Sequence, residues 1–168
     1  SPPRRPFAID AAHLSWYKFT MPLSWTLSPH QPPKIAWLYD STHPAGRYRF
    51  RLPEYWALHL YTYSAELTLD GAPHAVRDGA MTLQRPDVVS EYHWARPSRH
   101  FAAHFQLPLV ANHPAYRLPA LLQPRQVPAE HRALLRRAVA SWPHQPARAT
   151  AALWELLWGL VEAHGQPV

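Results

Sequence analysis

Histidine, tyrosine and tryptophan side chains recur at two-residue spacing in three short segments of the chain. In WALHLYTY, residues 56–63, His59, Tyr61 and Tyr63 share one parity, while Leu58 and Leu60 share the other. VVSEYHW pairs Tyr92 with Trp94, and HFAAHF sets His100, Ala102 and His104 against Phe101 and Phe105. A fourth segment, RYRFR, alternates Arg47, Arg49 and Arg51 with Tyr48 and Phe50. Alternate residues of a β-strand lie on one face of its sheet. Imidazoles and phenols can both donate and accept hydrogen bonds, guanidinium groups donate, and aromatic rings offer flat apolar faces. Turned inward, these side chains would line a cup suited to a sugar or another small polar ring compound. Arg49, Arg51, His59, Tyr61, Tyr92, Trp94, His100 and His104 are the candidate ligand-binding residues. The opposite parity would fill the interior with leucine and leave the same groups in water.

The elements that must position these residues follow from proline, glycine and hydrophobic spacing. Strand-like segments dominate from Tyr48 to Phe105, each a few residues long and mostly alternating. Asp70-Gly71 and Asp78-Gly79 supply tight turns, because glycine tolerates the positive φ that such turns need. Many short antiparallel strands in so little chain imply a closed barrel or jelly roll. Before them, residues 1–44 read as a proline-rich arm with two short strand-like pieces, Trp16–Thr20 and Ile35–Tyr39. Residues 45–110 form the expected barrel, 111–127 a linker, and 128–168 a helical extension.

In that extension Pro128 stands at a helix start, and His131, Leu134, Leu135, Ala138 and Trp142 recur at helical spacing up to Pro143. A second helix runs from about Ala147 to His164 and ends at Gly165. Its apolar residues leave only a thin polar line of Glu155, Gly159 and Glu162. A helix apolar over so much of its girth buries more than one face. One face is expected on the barrel, and a second copy of the chain is the expected partner for the other, since isologous dimers are the commonest oligomers. Leu153, Trp154, Leu157, Trp158 and Val161 are the candidate dimer contacts; the alternative is burial within the same monomer.

Composition limits the function classes. With 168 residues and 47% hydrophobic content, the chain can bury a real core. The absence of cysteine excludes disulfides, thiolate nucleophiles and iron–sulfur clusters, so any metal would rest on histidine and carboxylate. The net charge of +6 is spread along the chain, with arginine doublets only at Arg4-Arg5 and Arg136-Arg137, and so lacks the compact basic stripe of a nucleic-acid reader. No apolar run approaches a membrane span, and SPPRRPFAID lacks the apolar core of a signal peptide, which leads to the expectation of a cytoplasmic protein without membrane contact.

From about Arg47 to Pro108 the chain resembles the cupin-like effector-binding domain of AraC-type bacterial transcription regulators. WALHLYTYSAELTLDG, RDGAMTLQRPDVVSEYHW and SRHFAAHFQLP carry the likeness, and the paired helices beyond them match the helices that hold dimer contacts in that family. The resemblance implies a mainly β fold with C-terminal α: a cupin-like jelly-roll barrel followed by two antiparallel helices. It implies effector binding in the barrel, homodimerisation, and DNA binding through a C-terminal helix-turn-helix region that is not in this chain. By position, Tyr92 and His100 match the family's sugar-binding residues, and Arg49 or Arg51 matches its strand arginine. Ala102 stands where the family has a tryptophan.

The stretch GAMTLQRPDVVSEYHW also has the layout of the metal-bearing corner of a cupin enzyme. Those enzymes hold iron, manganese or zinc with a His-x-His, a Glu and a distant His. The corresponding positions here are His59-Leu60-Tyr61, Glu66 and Ser90, so two of four ligands are missing. The reading is therefore a pocket reused for sensing, with no metal, no cofactor and no catalytic residues. A metal-dependent isomerase or dioxygenase of cupin type is the alternative, and a dimerisation module with a filled barrel is a third.

Overall fold

A computed structural model describes residues 22–108 and 110–168. Twelve strands and two helices follow in chain order: β1 Ser24–Leu27, β2 Lys34–His43, β3 Gly46–Arg51, β4 Trp56–Tyr61, β5 Ala65–Leu69, β6 Ala72–Val76, β7 Met81–Gln84, β8 Val89–Trp94, β9 Ser98–Gln106, β10 Tyr116–Pro119, β11 Leu121–Leu122, α1 Ala129–Ser141, α2 Pro146–His164 and β12 Gln166–Pro167. A five-stranded antiparallel sheet has the order β11-β7-β4-β9-β2, and a four-stranded one has the order β3-β8-β5-β6. Together they make the cupin-like, two-sheet jelly roll, with the two helices at its C-terminal end. A small third sheet, β1-β10-β12, joins the roll to the helices.

Alternation on β4 explains the layering. His59 and Tyr61 point between the two large sheets, whereas Leu58 and Leu60 point to the opposite face, and all four are buried. Leu58 meets Met81, Leu83, Leu118, Leu122 and Leu160 beneath the helices. The five-stranded sheet is thus covered on both faces, by the four-stranded sheet on one side and by helix on the other, as a layered domain requires. The hairpin between β5 and β6 turns at Asp70 and Gly71, with φ of 49° and 81°. Two consecutive positive φ values give the twist that a two-residue hairpin needs.

Two sequence-based boundaries are corrected. Residues 24–43 hold β1, which pairs with β10 in the small sheet, and β2, which pairs along its whole length with β9 in the roll, so this stretch is part of the fold and not an arm. The expected strand at Trp16–Thr20 lies outside the described residues. The expected linker 111–127 contains β10 and β11, which pair with β1 and β7 and bury Leu118, Ala120, Leu122 and Val127. Short strands separated by prolines read as loop, but their pairing partners lie far away in sequence.

The helices start and stop near the expected places, and their antiparallel arrangement is fixed by contact between His131 at the start of α1 and Gly159 near the end of α2. The predicted dimer stripe is corrected. Leu153 and Leu157 are fully buried and Val161 nearly so within this chain. Trp154 donates its indole N–H to the Pro29 carbonyl at 2.8 Å, and Trp158 sets its ring against His30 and Tyr116. The second apolar flank of α2 therefore meets its own chain, around the β1–β10 sheet that the sequence reading treated as arm and linker. Among the described residues no helix is long and apolar enough to cross a membrane.

Candidate functional site

Between the two large sheets lies a cavity of about 60 Å³, partly open to solvent. The five-stranded sheet supplies Tyr39 and His43 from β2, His59 from β4, Gln84 from β7, and His100 and His104 from β9. The four-stranded sheet supplies Phe50, Ser90 and Tyr92, and the segment before β4 supplies Tyr55. Their convergence follows from register. Tyr61 lies opposite His100 and His59 opposite Ala102 and Thr82, while Phe50 lies opposite Ser90 and Tyr48 opposite Tyr92.

Strand β2 reaches the cavity because of a bulge. Its pairing with β9 shifts between Ile35 and Trp37, so that Trp37, and not Ala36, stands opposite His104. One extra residue inverts the facing of everything after it. Tyr39, Ser41 and His43 consequently share the cavity face with Ala102 and His100.

The buried polar groups form a connected network. Tyr61 Oη is 2.7 Å from Thr82 Oγ1 and 3.0 Å from Tyr92 Oη. Gln84 Nε2 donates to Tyr92 Oη at 3.1 Å and to His59 Nδ1 at 3.3 Å. An amide N–H can only donate, so His59 Nδ1 is the accepting nitrogen and its Nε2 carries the proton. Tyr63 Oη meets His100 Nδ1 at 2.8 Å, and Tyr39 Oη meets His104 Nε2 at 3.3 Å. The imidazoles crowd together, with ring centres of His59 and His100 5.0 Å apart and of His43 and His100 4.8 Å apart.

All of these groups are held neutral. Burial, reinforced by the neighbouring imidazoles, pushes His59 well below its usual range. Burial likewise lowers His100 to about 3 and His104 to about 4. It raises Tyr92 to about 12 against the hydrogen bonds from Tyr61 and Gln84, and drives Tyr61 well above the normal phenol range. Removing a charge from water costs more than its neighbours return, so the neutral form prevails. Charge is confined to the rim. There Arg51 pairs with Asp87 at 2.7 Å, and Arg85 lies 3.7 Å from Asp70 and over the Trp25 ring. No carboxylate lines the cavity among the described residues.

Of the eight residues predicted to bind ligand, His59, Tyr92, His100 and His104 line the cavity and Arg51 stands at its mouth. Tyr61 and Trp94 lie one layer back. Tyr61 is fully enclosed, and Trp94 stacks on Tyr92 at 4.9 Å and on His43 at 4.6 Å. Arg49 is corrected outright: it faces solvent on the outside of β3, with its side chain 70% exposed beside Glu91. On β3 it is Tyr48 and Phe50 that turn inward, since a guanidinium is far costlier to bury than an aromatic ring.

Tyr39, His43 and Gln84 were missed by the sequence reading. Their signal was present as the two-residue spacing of Trp37, Tyr39, Ser41 and His43 and of Thr82 and Gln84. The cupin metal set does not fit this chain. Tyr61 and Ser90 replace two ligands, and Glu66 points outward beside His93 with its side chain 82% exposed. Among the described residues no group of three or more histidine and carboxylate side chains is arranged to hold an ion.

No protein-family model matches the sequence, and no curated protein matches it. Solved structures do show similarity. The chain aligns with a crystal structure of unsaturated fatty acid bound ToxT from Vibrio cholerae over 80% of its own length and 57% of that chain, at 7% identity and a TM-score of 0.50. ToxT is an AraC-family regulator with a cupin-like domain. A predicted oxalate decarboxylase from Thermotoga maritima matches over 44% of this chain and 69% of that one, at 9% identity and a TM-score of 0.40. A cupin protein from Bacteroides fragilis matches over 45% and 70%, at 13% identity and a TM-score of 0.38. Identities this low speak to fold alone, and the two smaller TM-scores carry no argument. The present chain spans little more than half of the ToxT chain, and its fold is the cupin-like one that the sequence pattern implies.

Proposed function

We propose that this chain is the ligand-sensing domain of an AraC-type transcription regulator and performs no chemistry on its guest. One observation carries the reading: an open-mouthed cavity whose buried imidazoles and phenols are neutral and linked to one another by hydrogen bonds, with imidazole nitrogens left over for a guest. Such a network orients hydrogen-bond donors and acceptors for a guest. It supplies neither a carboxylate nor an activated nucleophile at the cavity wall. The effector is a small ring compound, and DNA contact belongs to a helix-turn-helix region outside this sequence. Self-association, where the regulator uses it, falls to the outward faces of α1 and α2, which carry exposed Glu130, Arg137 and Glu155. ToxT in its fatty-acid complex supports the general idea that this fold binds a small molecule in such a regulator.

The test is a broad thermal-shift screen over sugars, alcohols, amides and aromatic or aliphatic acids, since a ligand selective for the folded state raises its melting temperature. The expected result is at least one saturable ligand whose effect is lost in His59→Gln. A screen without a saturable ligand refutes sensing, and a ligand that is turned over refutes a purely binding role.

A further inference from the structure

We infer that the occupant of the cavity is an uncharged molecule with a compact polar head, held among His59, His100 and Ser90, and a flat apolar body laid on the aromatic mouth of Trp37, Phe50 and Tyr55. This inference rests on the sensing reading and narrows its ligand class.

The head must be small. The cavity, about 60 Å³, is narrow and its inner end is ringed by imidazole and phenol groups. The head must also be economical in hydrogen bonds. Tyr61, Tyr92, Gln84 and Thr82 are engaged with one another, and Tyr39 and Tyr63 with His104 and His100. What remains for a guest is the far nitrogen of His59, that of His100, Nδ1 of His104, the Gln84 side-chain carbonyl and the Ser90 hydroxyl. A head with a hydroxyl, carbonyl or amide finds partners among them, and every hydroxyl beyond that supply would be buried unpaired at a cost to binding.

The head must be uncharged as well. The interior offers no cation, and the two guanidinium groups at the rim are already matched by Asp87 and Asp70. A carboxylate would have to part Arg51 from Asp87, and an ammonium ion would find no carboxylate among the described lining residues.

The body is read from the mouth. Trp37 and Phe50 are 40% and 39% exposed, and they are two of the three large hydrophobic side chains left exposed among the described residues. Phe50 belongs to the cavity wall, and Trp37 adjoins two residues of that wall, packing against Tyr55 at 5.3 Å and edge-on to His104 at 5.1 Å. Water-exposed rings gathered at the lip of a polar-headed cavity form a platform for a planar apolar group. The bulge in β2 is what turns Trp37 to this side.

Titrations monitored by saturation-transfer NMR and melting temperature at pH 7.5 test the inference with benzyl alcohol, benzamide, benzoate, benzylammonium and glucose as probes. Benzyl alcohol or benzamide is expected to bind saturably, and the charged probes and glucose are not. Trp37→Ala, at an exposed position, should weaken the neutral aromatic probe about 3- to 10-fold without lowering the melting temperature of the free protein. Asp87→Asn, which keeps a residue tolerant of the positive φ found there (67°), frees Arg51 and should create benzoate binding absent from the parent. Benzoate or glucose binding the parent as tightly as benzyl alcohol overturns the ligand class and leaves sensing intact. Silence of all five probes beside a productive broad screen does the same. Silence of both overturns sensing itself.

Discussion

Lowering the pH from 7 to 5 should destabilise this protein far more than its carboxylates alone would allow. His100 and His104 titrate at about 3 and about 4 in the folded state because burial penalises their charged forms. In the unfolded chain an imidazole titrates near 6.5. Below pH 6.5 the unfolded chain takes up a proton at each position while the folded chain does not. Stability is therefore fully present above about 6.5 and is lost progressively as the pH falls toward the folded values. One proton is worth about 1.4 kcal/mol per pH unit, so each residue costs about 2 kcal/mol at pH 5 and the two together about 4 kcal/mol. His59, His43 and His131 are shifted downward too and add in the same direction. Asp40 and Asp87, held below the usual carboxylate range by Arg99 and Arg51, lose their contributions only as the pH falls below about 4, outside this window. Against a total stability of about 5 to 15 kcal/mol, the imidazole effect is large. Urea unfolding followed by tryptophan fluorescence at pH 7, 6 and 5 measures it, and His104→Gln should remove about 2 kcal/mol of the pH dependence. Equal stability at pH 7 and pH 5 would refute the claim that these rings are buried and neutral.

Three substitutions probe the scaffold. Gly159→Ala places a Cβ 2.6 Å from His131 Nε2, so the crossing of α1 and α2 must open and stability should fall by about 1 to 3 kcal/mol, read from the urea midpoint. Leu157→Ala empties a fully enclosed site and should cost about 2 to 5 kcal/mol with no dependence on protein concentration, whereas a concentration-dependent loss would move this residue to a subunit contact. Arg49→Ala removes only a solvent-exposed ion pair with Glu91, and should leave both stability, within about 0.5 kcal/mol, and ligand binding unchanged.

Sequence periodicity grouped the residues that share a face on β4, β8 and β9, because each strand runs without interruption through its paired segment, and the family resemblance chose the inward face. His59, Tyr92, His100 and His104 could be placed for that reason. The same rule misjudged β3. Its two parities offered either arginines or aromatic rings to the cavity, and resemblance favoured the arginine. The energetics of burial favour Tyr48 and Phe50, and composition alone was enough to decide that. Strand β2 is a different kind of failure. Its partner β9 lies some sixty residues away, and neither the pairing nor the bulge between Ile35 and Trp37 leaves a local mark. Its residues therefore fell to an arm that a proline count suggested.

The misplacement of β2 and the misjudged dimer stripe share one physical origin. An apolar helix face demands cover, and sequence can state the demand without saying what meets it. Here Pro29 and His30, beyond the end of β1, meet Trp154 and Trp158, while the β10 strand of the same small sheet supplies Tyr116 against Trp158. Once those strands are counted as fold and not as linker, α2 no longer needs a second chain to explain its composition. The exposed rings at the mouth then stand out as the apolar surface still without a partner. A core satisfied from within and aromatic surface left over at one opening are two halves of a single argument: the fold has met its own hydrophobic needs elsewhere, and the exposure of Trp37 and Phe50 is what the proposed guest would relieve.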